Sequence, residues 1–231
     1  MKKFFILALL CSASLKADVL FTDSFDGTVL DSSKWDVLLP FGNSSISVQN
    51  GILSSVNSGK ILPKTSFTGP IAISGTFSLK SRSSVFQVAL RSDGQVPANN
   101  PYGVLSGIQI GFLNDDTTGT GTQSSLIWVH EWGSNYERSV VKNYMTPVGL
   151  NVFENFNIVD DGYQISVFLN GVQVISAATD FSQGTRIAFA GRESLAGISQ
   201  TDIGELQIIP EPSSLSLLAL GGVLVALRRR R

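Results

Sequence analysis

The chain is short of the side chains on which disulfides, thiol chemistry and many catalytic sites depend. Its 231 residues include one cysteine, Cys11, and one histidine, His130. A single cysteine cannot form an internal disulfide, so the stability of the fold must come mainly from apolar burial. A lone histidine needs partners from elsewhere in the fold to act as a base or metal ligand. The formal net charge is −1, and no basic patch favours nucleic acid as a partner.

The first seventeen residues have the layout of a secretory signal peptide. Lys2 and Lys3 precede an apolar stretch that runs to Leu10, and small residues follow up to Ala17. We expect export across the inner membrane and cleavage after Ala17, with a cut at Ala13 or Ser14 as the alternative. Either cut leaves a mature chain without Cys11. Lipidation of Cys11 is the minor alternative, because Leu10 is bulkier than a lipoprotein signal accepts at that position.

The last twenty-two residues form a second targeting segment. In chain order they contain Pro210, Glu211, Pro212, the apolar run Leu215 to Leu227, and the arginines Arg228, Arg229, Arg230 and Arg231. Such an apolar run must be buried in lipid or removed by processing, and a terminal arginine cluster stays on the cytoplasmic side of a membrane. We therefore expect the chain to end in a membrane-spanning hydrophobic helix.

This ending resembles the PEP-CTERM sorting signal of Gram-negative bacteria, in which a Pro-Glu-Pro motif, a hydrophobic helix and a basic tail follow one another. The resemblance implies delivery by the export machinery, processing near the motif by an exosortase-type membrane protease, and an association with exopolysaccharide. The protein is then anchored in the membrane until it is processed, and afterwards lies in the cell envelope or outside the cell. A plain tail anchor is the alternative, although Leu215 to Leu227 is shorter than the ~20 apolar residues that spanning needs.

Residues 18–209, between the two targeting segments, have the pattern of a single all-β domain. Short runs rich in Val, Ile and Phe alternate with clusters of Gly, Asn, Ser, Asp and Pro, which is typical of a sandwich or barrel. No stretch has the three-to-four-residue spacing of a helix. The pattern predicts strands at 19–25, 45–49, 52–56, 71–79, 85–91, 107–113, 126–132, 138–144, 152–159, 163–169, 172–176, 186–190 and 203–209.

The strongest local pattern is a β-hairpin around Asn170 and Gly171. Asn-Gly is the preferred pair for a two-residue type I′ turn, because both central residues need positive φ. The turn predicts that Leu169 pairs with Val172 and that Val167 pairs with Val174.

Several stretches resemble concanavalin A-like and laminin-G-like jelly rolls. They are the opening Phe21 to Trp35, the Asn-Gly pair that begins Asn50 to Leu53, the hairpin described above, and the closing stretch Thr201 to Ile208. The resemblance implies a jelly-roll β-sandwich over residues 18–209. It also implies that the first and last strands lie side by side, so that both ends of the domain lie next to the C-terminal tail.

The sequence offers no pair of catalytic carboxylates of the kind that concanavalin A-like glycoside hydrolases of family 16 use. Their E-x-D-x-x-E or E-x-D-x-E strand places a nucleophile and a general acid on one face about 5 Å apart. The nearest strand here, Trp128 to Trp132, carries Glu131 alone, and we expect Glu131 to point to solvent. No G-x-S-x-G motif is present either. We therefore expect a protein without enzymatic activity, with a divergent glycan-acting hydrolase or lyase as the alternative.

Two tryptophans alternate with the histidine on that strand. Trp128, His130 and Trp132 share one face, with the indoles roughly 7 Å apart, and indoles stack on sugar rings in carbohydrate-binding jelly rolls. We expect Trp132 to be partly exposed if this face binds polysaccharide, and we take these three residues as candidates together with the polar residues Glu131, Tyr136 and Arg138. The alternative is that both indoles belong to the core, which leaves the function of the sandwich unassigned. A structural or adhesive envelope protein is a third possibility, which an exposed apolar patch outside any groove would favour.

No cofactor is expected, although acidic pairs make a structural calcium ion the one candidate. Calcium is held by six to eight oxygen ligands. The pairs are Asp23 with Asp26, Asp115 with Asp116, and Asp160 with Asp161, and none has the spacing of a defined calcium loop.

Overall fold

The computed structural model describes residues 18–81, 84–97, 104–115, 124–133, 138–146, 148–193 and 199–211. These residues form strands and connecting turns, with no helix among them. The strands, in chain order, are β1 Phe21–Asp23, β2 Trp35–Leu38, β3 Ser45–Gln49, β4 Ile52–Val56, β5 Lys60–Pro63, β6 Ile71–Leu79, β7 Ser84–Ser92, β8 Gly107–Asp115, β9 Ser124–Trp132, β10 Arg138–Met145, β11 Glu154–Asp160, β12 Gln164–Leu169, β13 Val172–Ala178, β14 Arg186–Glu193 and β15 Gln200–Pro210.

The strands form two antiparallel sheets that pack as a jelly-roll sandwich. The eight-stranded sheet has the order β13-β12-β11-β6-β15-β4-β3, with β1 paired to the end of β15, and the seven-stranded sheet has the order β10-β9-β8-β7-β14-β5-β2. Of the thirteen neighbouring pairs among the described strands, six join consecutive strands and seven join strands that are distant in the chain. The predicted all-β sandwich is confirmed.

Two short strands were not predicted. β2 and β5 have four residues each, too few for a clear alternation of apolar and polar side chains. β5 also begins with the buried Lys60 and ends with Pro63, and proline normally argues against a strand in a sheet interior. Pro63 is accommodated because it lies at the last position of β5, opposite Trp35 of the edge strand β2.

Four phenylalanines hold the two sheets together at the centre of the core. Phe77 and Phe156 come from the eight-stranded sheet, and Phe86 and Phe112 come from the seven-stranded sheet. Their ring centroids lie 4.6 to 6.3 Å apart, and none of the four is more than 2% exposed. These distances are those of favourable aromatic pairs. Aromatic burial thus joins the sheets in a chain that has no disulfide.

Polar side chains join the two sheets at one end of the sandwich, which we call the tail rim. Arg91 of β7 donates two hydrogen bonds to the Asp160 carboxylate of β11, and its Nη1 also donates to the carbonyls of Thr179 and Phe181. The Thr179 hydroxyl donates to the Glu131 carboxylate of β9. Both partners of the ion pair are largely buried, so leaving either one alone would be costly.

Both ends of the domain lie at the tail rim. The Leu20 amide donates to the Ile208 carbonyl at 2.9 Å, and Phe21 pairs with Ile208 in the ladder between β1 and β15. The side-by-side arrangement of first and last strands that the resemblance implies is therefore present.

The Asn-Gly hairpin forms as predicted, except in its register. Asn170 and Gly171 have φ of 50° and 79°, as a type I′ turn requires, and Leu169 pairs with Val172. The predicted pairing of Val167 with Val174 is wrong, since Val167 pairs with Ile175 across a β-bulge. The bulge turns Ile175, which is 1% exposed, into the core.

Gly171→Val should lower the free energy of unfolding by more than ~1 kcal/mol. No atom of the described residues lies within 4 Å of the position that a Cβ would take at Gly171, so the cost comes from the positive φ. Thermal or urea unfolding measures it. Gly42→Val is the matched control, because Gly42 is equally unobstructed without a positive φ, and it should change stability by less than ~0.5 kcal/mol. Equal stability of the two variants would contradict the turn assignment.

Candidate functional site

The candidate site lies on the side of the seven-stranded sheet that faces away from the other sheet. Phe86, Val88, Ile110 and Val129 point into the core between the sheets. Alternate residues on the same strands therefore point outward. We call this surface the outer face, and its central residues are Lys60, Leu62, Gln87, Ala89, Gln109, Gly111, Trp128, His130, Trp132, Ala188 and Ala190.

Trp128 packs across its neighbouring strand. Gly111 of β8 pairs with Trp128, and a Cβ at Gly111 would lie 2.0 Å from an atom of the indole ring. Only glycine leaves room for the indole to lie flat there. On the other side the indole stacks with the His130 ring at a centroid distance of 5.6 Å and an interplanar angle of 29°. Trp128 is thus held between glycine and histidine.

His130 is fixed by its neighbour on β10. Its Nε2 lies 3.2 Å from Oδ1 of Asn143, which is exposed to solvent. His130 itself is 7% exposed. The contact with Asn143 and the stacking on Trp128 fix both the position and the tilt of the imidazole ring.

The indoles share one face, but they are not exposed. Trp128 and Trp132 are each 4% exposed, so the expected partial exposure of Trp132 is not what the structure has. Neither residue belongs to the core between the sheets, which was the alternative. Both pack on the outer face of β9, a strand that lies one position from the edge of its sheet. Alternation with a period of two predicts on which face of a strand a side chain lies, but it does not predict whether other residues bury that side chain.

Glu131, the remaining candidate whose side chain the structure describes, is not grouped with the indoles. Glu131 points to the opposite side of β9, where it is half-buried and accepts the hydrogen bond from Thr179, so the expectation that it points to solvent is corrected. Tyr136 lies outside the described residues. Arg138 begins β10 opposite Trp132.

Three buried polar residues join the indoles on the outer face. Gln109 Nε2 donates to the Leu105 carbonyl at 3.0 Å, and Lys60 Nζ donates to the Ser58 carbonyl at 3.0 Å. Gln87 is 2% exposed. The alternation that places Phe86 and Val88 in the core also places Gln87 on the outer face. The outward position of Gln87 was therefore predictable from the sequence.

Two donors on the outer face have no hydrogen-bond partner among the described residues. Gln87, Gly111 and Trp128 lie side by side on β7, β8 and β9. Neither Gln87 Nε2 nor Trp128 Nε1 finds a hydrogen-bond acceptor among the described residues. Two strand spacings place the two residues about 10 Å apart. A buried donor without an acceptor is destabilising, so this pair is a feature that packing alone does not explain.

The outer face has donors and rings but no acidic side chain at its centre. From Val85 to Ala89 on β7, Gly107 to Leu113 on β8 and Leu126 to Trp132 on β9, the outward positions hold no Asp or Glu. Next to Gln87, the side chains of Lys60, Leu105 and Gln109 close together and leave no space for a water molecule. This arrangement can donate hydrogen bonds and stack on a ligand, but these three strands lack the carboxylate pair that glycoside hydrolysis needs.

The acidic pairs named as candidate calcium ligands have other roles where the structure describes them. Asp23 accepts from the Trp35 indole at 2.7 Å, Asp160 binds Arg91, and Asp161 accepts from the backbone amides of the turn that follows it. Asp116 lies outside the described residues. Within the described ranges, no three or more His, Cys, Asp or Glu side chains are grouped to hold a metal ion.

The sorting motif begins at the end of the last strand of the sandwich. Pro210 is the last residue of β15 and pairs with Ile71, and the Glu211 amide donates to the Pro70 carbonyl at 3.1 Å. Burial raises the pKa of the Glu211 carboxyl, and the carboxylates of Asp161 and Asp160 raise it further.

The other targeting residues lie outside the described part of the chain. They are the predicted signal peptide of residues 1–17 and, in the tail, Pro212, the apolar run Leu215 to Leu227 and the four arginines. Within the described residues, the structure has no helix of the length and apolar character that would span a membrane.

Comparison with known families identifies the tail. Residues 209–231 match the model of the PEP-CTERM protein-sorting motif. The chain ends in a PEP-CTERM sorting motif. This motif implies export, membrane anchoring by the C-terminus and processing by an exosortase. No curated protein matches the chain in sequence.

Solved structures show the fold of the domain that precedes the PEP-CTERM motif. A structure from work on endo-acting O-glycanases of the human gut microbiota superposes with a TM-score of 0.63 at 13% identity, over 84% of this chain and 100% of that chain. The β-glucanase of Bacillus licheniformis gives 0.58 at 10% identity, over 83% and 98%. The potassium-bound carbohydrate recognition domain of Emp46p gives 0.58 at 11% identity, over 77% and 88%. The domain is therefore a concanavalin A-like jelly roll.

Trp132→Ala should cost about 3 to 5 kcal/mol of stability, as truncation of buried aromatic side chains does. Chemical denaturation measures this loss. The control is Tyr163→Ala, which removes an aromatic side chain that is 78% exposed and should cost less than ~0.5 kcal/mol. A Trp132 variant as stable as the Tyr163 variant would contradict the burial of the indole.

Proposed function

We propose that this chain is an exported, non-enzymatic protein of the cell envelope or extracellular matrix that binds polysaccharide through the outer face of its seven-stranded sheet. Before processing it is held in the membrane by its C-terminal segment, and after exosortase processing it lies in the envelope or outside the cell. The export machinery, the exosortase and an exopolysaccharide are its proposed partners. The PEP-CTERM motif supports export and processing by the exosortase, and the outer face supports polysaccharide as the ligand.

The observation that supports a polysaccharide ligand is the pair of buried hydrogen-bond donors beside Gly111. Gln87 Nε2 and Trp128 Nε1 are both on the outer face, and neither has an acceptor among the described residues. A sugar carries hydroxyl oxygens that accept from such donors and an apolar ring face that packs on an indole. The same two donors are costly in the free protein, so a ligand that satisfies them gains affinity.

The absence of acidic side chains from the centre of the outer face supports binding rather than hydrolysis. A retaining glycosidase needs two carboxyl groups about 5 Å apart, and an inverting enzyme needs two about 6.5 to 9.5 Å apart. The described outward positions of β7, β8 and β9 between Val85 and Trp132 supply neither. The jelly-roll neighbours include glycanases and carbohydrate recognition domains, so the fold itself is compatible with both activities.

A polysaccharide reaches the two donors only if the side chains over them move. Leu105 is a described residue that covers this face, since it packs on Leu62, Ala89 and Ala188 and its carbonyl accepts from Gln109. Asn143 is exposed beside His130, at the β10 side of the same face. We propose that the sugar chain approaches from the Asn143 side, where a polar group already meets solvent.

Gln87→Leu separates binding from folding. Leucine fills a similar volume and removes a buried donor that has no acceptor, so the melting temperature should stay the same or rise. Binding to exopolysaccharide purified from the producing organism should weaken about tenfold or more, because a sugar oxygen loses its donor. Isothermal titration or tryptophan fluorescence on the purified full-length chain in detergent measures the affinity.

Ser78→Ala is the control for this experiment. The Ser78 hydroxyl is also buried without a partner among the described residues, but it belongs to the eight-stranded sheet. Its loss should leave polysaccharide affinity unchanged. Equal affinity of the Gln87 variant and the wild type would contradict binding at the outer face. Release of reducing ends from the polysaccharide by the wild type would instead support the glycan-acting enzyme.

A further inference from the structure

The last strand of the sandwich runs into the sorting motif. Pro210 pairs with Ile71, and the hydrogen bond from the Glu211 amide to the Pro70 carbonyl lies just beyond this pair. In an antiparallel ladder, this arrangement makes Pro210 and Ile71 a non-hydrogen-bonded pair. Pro210 therefore does not need to donate an amide hydrogen bond to β6. Proline is therefore tolerated at this end of the strand, although it lacks an amide hydrogen. One of the three motif residues, Pro210, is thus part of the sheet, and the next, Glu211, is hydrogen-bonded to it.

The rest of β15 is anchored much more firmly than these two residues. Leu206 and Ile208 are fully buried in the core between the sheets, whereas Ile209, Pro210 and Glu211 are half-buried. A strand end that contributes little buried apolar surface opens at low cost compared with the core of the sheet. The motif residues can therefore leave β6 without unfolding the domain.

Little chain separates the docked motif from the apolar run. Only Pro212, Ser213 and Ser214 lie between Glu211 and Leu215. Four residue steps span at most about 14 Å, even fully extended. With Glu211 on the sheet, the apolar run begins within this distance of the sandwich. For a membrane protease that binds its substrate as an extended segment, one edge of the motif is then occupied by β6. The folded domain also lies directly beside the motif.

We propose that the folded sandwich masks its own sorting motif, so that exosortase processing requires Pro210 and Glu211 to separate from Pro70 and Ile71. This inference rests on the exosortase route proposed above. The last two residues of the described chain act as a latch, and the fraction of molecules in which the latch is open sets the rate of processing. Export and membrane insertion do not depend on it.

The charges around Glu211 keep the latch weak. Glu211 lies near Asp160 and Asp161, and Asp160 is also bound to Arg91 from the other sheet. Together with burial, the two carboxylates raise the pKa of the docked Glu211. An acid whose pKa is higher in the docked state favours docking when protonated. Docking therefore weakens as the pH rises from the ordinary pKa of Glu211 through the raised one.

Two variants move the latch in opposite directions without altering the motif. In the first, six residues of alternating Gly and Ser are inserted between Ile209 and Pro210, which separates the motif from β15. The second is Asp161→Asn, which removes one carboxylate near Glu211 while its side-chain oxygen still accepts from the amides of Tyr163 and Gln164. Asp180→Asn is the control, since Asp180 is an exposed carboxylate of the same rim that does not affect the pKa of Glu211.

Processing is measured on the full chain by pulse-chase in cells that contain the exosortase, as the conversion of the membrane-anchored form into the processed form. We expect the insertion to accelerate conversion several-fold, Asp161→Asn to slow it, and Asp180→Asn to leave it unchanged. Hydrogen exchange of the segment around Glu211 in the purified full chain should be faster with the insertion and slower in Asp161→Asn. This second readout reports docking directly and does not depend on the protease.

Equal processing rates of the wild type, the insertion variant and Asp161→Asn would overturn the latch while leaving exosortase processing in place. Faster processing of the insertion variant without any difference in hydrogen exchange would assign the effect to tether length, and would also overturn it. If no variant is processed, the wild type included, the exosortase route itself fails and the latch fails with it.

Discussion

The fold depends on the contact between the two sheets, and above all on Phe77, Phe86, Phe112 and Phe156. With a single cysteine the chain has no internal disulfide to hold the sheets together, so apolar burial must supply most of the stabilisation. Period-two alternation on every strand then assigns each side chain either to this core or to a surface. The outer face and the tail rim are both consequences of that assignment. A strand that gives its apolar residues to the core presents the residues between them, including Gln87 and Trp128, on the other side.

The tail rim connects the fold to the route that the protein takes. There the sheets are joined by Arg91 with Asp160 and by Glu131 with Thr179, and there the chain enters and leaves the domain. The same carboxylate that closes the rim lies near the first glutamate of the tail. Export, anchoring and processing thus act on the end of the sandwich opposite the Asn170–Gly171 turn, while the outer face offers a separate surface for a ligand.

Much of this arrangement was predictable from the sequence, and the exceptions have physical causes. The strands at 45–49, 52–56 and 71–79 have the predicted bounds because alternation is clear and turn residues flank them. β2 and β5 are too short to show a pattern. The bulge at Val167 depends on how Ile175 packs in the core, which a local pattern does not contain. Alternation placed Trp128, His130 and Trp132 on one face, but their burial depends on Gly111, Asn143 and other residues distant in sequence.

The most direct test of polysaccharide binding at the outer face is the NMR resonance of the Trp128 indole N–H, assigned with a Trp128→Phe variant. The Trp35 indole serves as an internal reference, because it already donates to Asp23 at 2.7 Å. On titration with the exopolysaccharide, the Trp128 resonance should shift as its donor gains an acceptor, whereas the Trp35 resonance should stay in place. A polysaccharide that binds and leaves the Trp128 resonance unmoved would contradict binding at the outer face.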